Sequence, residues 1–174
     1  QSLGAHPSGA TFVGADACRD CHQDAYDVWK KSKHAHAFDS LTKGRPDADD
    51  DATFVARTRD PECITCHATG WDPKSFARYD SAFVDLETTP QLVGSQCENC
   101  HGPGSTHVEL EHALAKAGGD AGADVEKERT ALHLDLASAR TNLCVQCHDL
   151  DNSPKFDTED NKPFVTFWWE QIAH

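Results

Sequence analysis

Eight cysteines occur in the 174-residue chain, and every one belongs to the same five-residue pattern. The pattern is C-x-x-C-H, written as CRDCH (18–22), CITCH (63–67), CENCH (97–101) and CVQCH (144–148). Two thiols at this spacing add to two vinyl groups along one porphyrin edge as thioethers, and the histidine that follows is held under the iron as proximal ligand. A C-x-x-C pair alone also suits half of a four-cysteine zinc site or a redox disulfide. Neither accounts for a histidine after all four pairs. The haem assignment uses every cysteine and all four of those histidines. It predicts four covalently attached haem c groups, bound through Cys18, Cys21, Cys63, Cys66, Cys97, Cys100, Cys144 and Cys147, with His22, His67, His101 and His148 on iron.

The other axial position is narrowed by composition. The chain has no methionine, so the His/Met ligation of many small cytochromes is excluded. What remains is a second histidine or an open position. Seven histidines are left: His6, His34, His36, His107, His112, His133 and His174. Bis-histidine haems leave no site for substrate, which favours electron transfer over catalysis.

Helical periodicity sorts these seven. The stretch 23–41 contains neither Gly nor Pro and reads as one helix, with His34, Phe38 and Leu41 on one face. His36 lies about 200° away, on the side of Trp29, so the two histidines do not serve one iron from a straight helix. His34 is the better ligand, while His36 packs on Trp29, faces solvent or reaches a different haem. After CHGPG, the run from Ser105 to a Gly118-Gly119 stop reads as another helix. His107 shares a face with Leu110 and Leu114, whereas His112 sits among Glu109 and Lys116 and reads as solvated. A third helix begins near Pro163 and places Phe167, Gln171 and His174 on one face. His133 alternates with leucines and reads as a packed or hydrogen-bonded histidine. His6 belongs to a Gly/Pro/Ser-rich arm (1–14), read as flexible and able to reach a neighbouring molecule.

The composition fits the same picture. Hydrophobic residues make up 38% of the chain and the mean hydropathy is -0.62, low for a peptide that must build its core unaided. Four apolar macrocycles would supply what the peptide lacks. The formal charge of -13 argues against a nucleic-acid partner and suits a basic redox partner. No apolar run approaches a membrane span. The absence of an initiator methionine reads as a processed, exported chain, periplasmic or extracellular. The expected fold is mainly α with extensive loops, a single tetrahaem domain over 1–174 whose haems form the core. Loops are expected at 44–52, 117–124 and 152–163. A chain this short cannot wall off four porphyrins from one another, so the haems must lie close together.

CRDCHQDAYDVWKKSKHAHAFDSL, CITCHATGWD and above all GSQCENCHGPGSTH resemble the tetrahaem cytochrome c family of "five-five-four" type, typified by the electron acceptor of hydroxylamine oxidoreductase. The resemblance implies that His107 crosses to the first haem opposite His22. It also implies that His34 serves the third haem opposite His101, and that His174 serves the fourth opposite His148. The second haem, on His67, is five-coordinate in the family type. This chain is strongly acidic, unlike that type, and its spare His6 and His36 are candidates to close the second haem. Related tetrahaem cytochromes form extracellular filaments in which one subunit's histidine completes a haem of the next. The resulting expectation is an electron carrier, as a filament subunit or a soluble shuttle, with redox proteins or identical subunits as partners. The alternative is an enzyme reducing a small nitrogen oxide at an open second haem.

Overall fold

The computed structural model describes residues 2–44, 54–156 and 168–172. It is mostly helical, with short elements joined by long turns. These are α1 (Gln23–Lys30), α2 (Asp39–Lys43), α3 (Pro61–His67), α4 (Cys97–His101), α5 (Ser105–Ala117), α6 (Ala123–Leu132) and α7 (Leu136–Ser138). α7 runs on through a wide turn at Ala139–Leu143 into a 3-10 turn at Cys144–Gln146. The one small sheet among the described residues pairs β1 (Trp71–Asp72) with β2 (Ala77–Arg78), antiparallel, Trp71 opposite Arg78.

The peptide core is thin, as the low hydropathy foretells. Phe38, Leu41, Ile64, Ala68, Phe83 and Leu92 form its buried centre, with the Phe38 and Phe83 rings 5.1 Å apart edge to face. Among the described residues, half of the fourteen buried apolar ones are alanines, which contribute little area each. The centre sits between the second motif and the segment carrying His34, so it fixes the position of haem-bearing chain.

The long helix expected over 23–41 is broken. α1 stops at Lys30, residues 31–38 form tight turns, and α2 restarts at Asp39. The reason lies in where the carbonyls go. The His34 carbonyl accepts from Ser95 N–H (3.0 Å), and the Ala37 carbonyl accepts from the His67 ring (2.6 Å). A continuous helix would have spent both on itself. Phe38 and Leu41 are nonetheless buried, as their periodicity predicts.

The N-terminal segment is not a loose arm. Leu3 N–H donates to the Arg78 carbonyl (2.8 Å), Asp80 N–H to the Gly4 carbonyl (2.9 Å), Thr11 N–H to Ser105 Oγ (2.9 Å) and Phe12 N–H to Ser81 Oγ (3.1 Å). Polar side chains distant in sequence tie down a stretch that local composition alone reads as free. The Gly118 stop of α5 holds as expected, with φ +64° at the helix end. Residues 157–167, which include Phe167 and part of the expected C-terminal helix, lie outside the described residues, as does His174. Residues 168–172 are helical.

Candidate haem sites

Each C-x-x-C-H motif is coiled into about one helical turn. In the first and fourth motifs the histidine N–H closes on the first cysteine's carbonyl, His22 on Cys18 and His148 on Cys144, both at 2.9 Å. The second and third lie within α3 and α4. One turn brings cysteines at i and i+3 to the same face, as thioether attachment to one porphyrin edge requires. α3 has its start fixed locally: Asp60 caps Glu62 N–H at 3.1 Å and Pro61 opens the first turn.

All eight cysteines are free of disulfide bonds. The motifs meet through single sulfurs. Cys18 and Cys97 are in hydrogen-bond contact, which raises the Cys18 thiol and lowers that of Cys97. Cys66 and Cys147 make the same kind of contact, Cys147 raised and Cys66 lowered. Cys100 lies beside Cys144 and Cys147. The motifs are thus neighbours in the order first, third, fourth, second, which is not their order along the chain. Among the described residues no group of three or more His, Cys, Asp or Glu is arranged to hold a bare metal ion.

The imidazoles are oriented by their outer nitrogens. His67 Nδ1 lies 2.6 Å from the Ala37 carbonyl, and His101 Nδ1 lies 2.7 Å from the Leu132 carbonyl. A carbonyl only accepts, so both rings carry their proton on Nδ1 and present an unprotonated Nε2. His148 Nδ1 meets Ser153 Oγ at 2.9 Å, and Phe156 stacks on its ring at 4.3 Å. Such an outer hydrogen bond is the usual companion of a metal-bound histidine.

Two pairs of rings face one another. His22 and His107 have centroids 6.2 Å apart and planes 28° apart. His34 and His148 stand 5.9 Å apart with planes crossed at 64°. Two metal–imidazole bonds of about 2 Å each, plus about 1 Å from nitrogen to ring centre on either side, give a centroid separation of about 6 Å. Both pairs therefore fit an iron between them. A cleft of about 280 Å³, lined by Cys21, His22, His107, Glu111 and Arg129, lies at the first pair. On its rim Arg129 clamps Glu111 at 2.6 and 2.9 Å and holds that carboxyl below its ordinary range. Burial, and then the neighbouring His148, push His34 down to about 4, so its imidazole is neutral at ordinary pH, the state that binds iron.

The position of His34 differs from what the resemblance implies. It stands against His148 of the fourth motif and not against His101 of the third. The break after Lys30 is the physical reason: the 31–38 turns carry His34 to the Ser95 backbone, and Trp168 closes on it with ring centres 5.1 Å apart. Gly94 makes this approach feasible. Its φ is +89°, and a Cβ there would meet the Ala35 carbonyl oxygen at 2.6 Å. Gly94→Ala should destabilise the protein by about 1–3 kcal/mol and perturb the visible spectrum of the haem served by His34. A thermal melt and a Soret scan of the variant check both.

The remaining candidates are dispersed. His36 is exposed, 3.7 Å from Asp39, and adjoins Ala37, whose carbonyl holds His67 from its outer side. It is not placed across a haem from His67. His6 contacts Ser8 Oγ at 2.8 Å and rests edge-on against Tyr79 at 4.7 Å, in a cleft that reaches Cys100 rather than His67. His112 is exposed, as its off-face position predicts. His133 is also exposed, at the end of α6, instead of packed; its neighbour Leu132 contributes the carbonyl that orients His101. Sequence reading missed Ala37 and Leu132 because a backbone carbonyl has no residue-type signature.

Residues 17–102 match the protein-family model described as cytochrome c554 and c-prime. That match takes in just under half of the chain. Cytochrome c-554 of Nitrosomonas europaea is 33% identical over 129 residues, covering 68% of this chain and 50% of the relative. A solved structure, the reduced state of cytochrome c554 from the same organism, aligns at 29% identity over 64% of this chain and 54% of that one, with a TM-score of 0.45. The chain thus spans about half the length of the relatives it matches. The similarity to cytochrome c554, with four complete attachment motifs, gives covalently bound haem c as the cofactor. Among the described residues no helix is long and apolar enough to cross a membrane.

Proposed function

We propose that the chain carries electrons along four haems in the spatial order first, third, fourth, second. The facing ring pairs, His22 with His107 and His34 with His148, carry this reading. Each haem, once bound, supplies a one-electron ferric–ferrous couple. The chain's part is to hold the couples close and their ligands still. His22, His67, His101 and His148 are the proximal ligands, and the carbonyls of Ala37 and Leu132 keep two of those rings from turning. His107 and His34 complete the first and fourth sites. Two imidazoles on an iron exclude substrate, so the role is transfer and not catalysis.

Haem c is attached after export, which puts the working protein in the periplasm or outside the cell. Its net charge of -13 suits basic redox partners. The second site differs from the others. Among the described residues no ring contact joins His67 to a second imidazole, and we read its haem as open on the far side. Completion by a histidine of another copy, as in a filament, follows from this, with exposed His36 the donor on the surface. A small nitrogen oxide at the same open side is the enzymatic alternative.

One experiment separates the three. Nitric oxide is added to the reduced protein while the same sample is imaged by negative stain. The carrier reading predicts monodisperse particles in which one haem of four binds the gas without turnover. Fibres with no binding mark the filament, and sustained consumption of the gas marks the enzyme. Particles in which all four haems bind nitric oxide would contradict bis-histidine ligation altogether.

A further inference from the structure

Glu98 lies inside the third motif, between its two cysteines, and it is 4% exposed. Its carboxylate accepts Val13 N–H on both oxygens (3.0 and 3.1 Å), Gly14 N–H at 2.7 Å and Gly104 N–H at 2.7 Å. Burial pushes its carboxyl up, and these amides hold it back. The three donors come from two strategic places. Val13 and Gly14 lead directly into the first motif, while Gly104 is the residue from which α5, with His107, departs. One side chain therefore ties together both segments that carry the facing rings of the first site. Gln96 reinforces it, accepting Ala15 N–H at 2.6 Å.

The electrostatics point the same way. Glu98 lies near enough to the Cys18 and Cys97 sulfurs to be felt by both, so its charge sits where the first and third haems are anchored. All four of its hydrogen bonds come from backbone N–H donors. The site is built for an anion. A buried negative charge disfavours the arrival of an electron nearby far more than a solvated one does.

We propose that Glu98 is the positioning residue of the first and third haem sites, and that its buried charge lowers the reduction potentials of both haems. This rests on the haem assignment above. It concerns a residue that touches no iron and that the motif itself does not require to be acidic.

The test is potentiometric titration of the four-haem protein at pH 8, wild type against Glu98→Gln, with exposed Glu87→Gln as control. Two of the four steps should move to higher potential by at least a tenfold change in the reduction equilibrium, about 59 mV for one electron. The other two should hold, and Glu87→Gln should move none. Four unmoved steps, or a uniform shift of all four, would overturn the proposal. If the Gln variant fails to mature, Glu98→Asp keeps the charge with a shorter reach. Its two low potentials should persist while its melting temperature falls, and a rise of those two would count against the charge. An error in the ligand assignment would show separately, as a wild-type spectrum without low-spin haem.

Discussion

Replacing His107 with alanine is expected to turn one haem from low-spin to high-spin while leaving the others unchanged. The ring of His107 stands 6.2 Å from that of His22. Its loss leaves an imidazole-sized space opposite His22. Imidazole added to the variant should therefore restore the low-spin spectrum. Changing exposed His112, five residues further along α5, should do nothing to the iron. Visible and EPR spectra of the oxidised variants read all three results. A His107 variant that keeps every low-spin signal would remove His107 from the first site.

The largest effect on stability is expected from the haems themselves. A chain with alanine at all eight motif cysteines, and so without attached haem, should show no cooperative thermal transition by circular dichroism, whereas the mature protein should melt sharply. The peptide core has one buried Leu/Ile/Phe centre, and half of its buried apolar residues are alanines. A domain has only about 5–15 kcal/mol of net stability against large opposing terms. Four macrocycles, each with a large apolar face, contribute more area than this core can spare. A cooperative melt of the haem-free chain would show that the peptide core suffices alone.

The attachment chemistry was legible because covalent haem needs a contiguous signature: two thiols and a histidine within one turn. The α5 helix was legible for a related reason, since a 13-residue helix with a glycine stop keeps its period from end to end, while the pairing of His107 with the first motif came from the family resemblance. What local pattern missed were the places where tertiary contacts claimed backbone groups. His34, Phe38 and Leu41 share a helical face on paper, yet the carbonyls of His34 and Ala37 are taken by Ser95 and His67, and the helix breaks. The break leaves His34 beside His148 of the fourth motif, 5.9 Å between ring centres. The N-terminal segment was misread in the same way. Its glycines and serines suggest freedom, but buried Glu98, some 85 positions away, holds its amides. The family pattern supplied the third motif's importance, and the structure adds its function as a hub: Gln96 and Glu98 reach the first motif, and Asn99 donates to the Ala68 carbonyl at the end of the second, 3.0 Å away.

The most direct test of the ligand assignment is low-temperature EPR of the oxidised four-haem protein. Nearly parallel imidazoles at His22–His107 and steeply crossed ones at His34–His148 give low-spin signals of different anisotropy, so both kinds should appear together with one high-spin haem from the second site. A spectrum in which all four haems are high-spin, or in which no crossed-plane signal appears, would contradict the account.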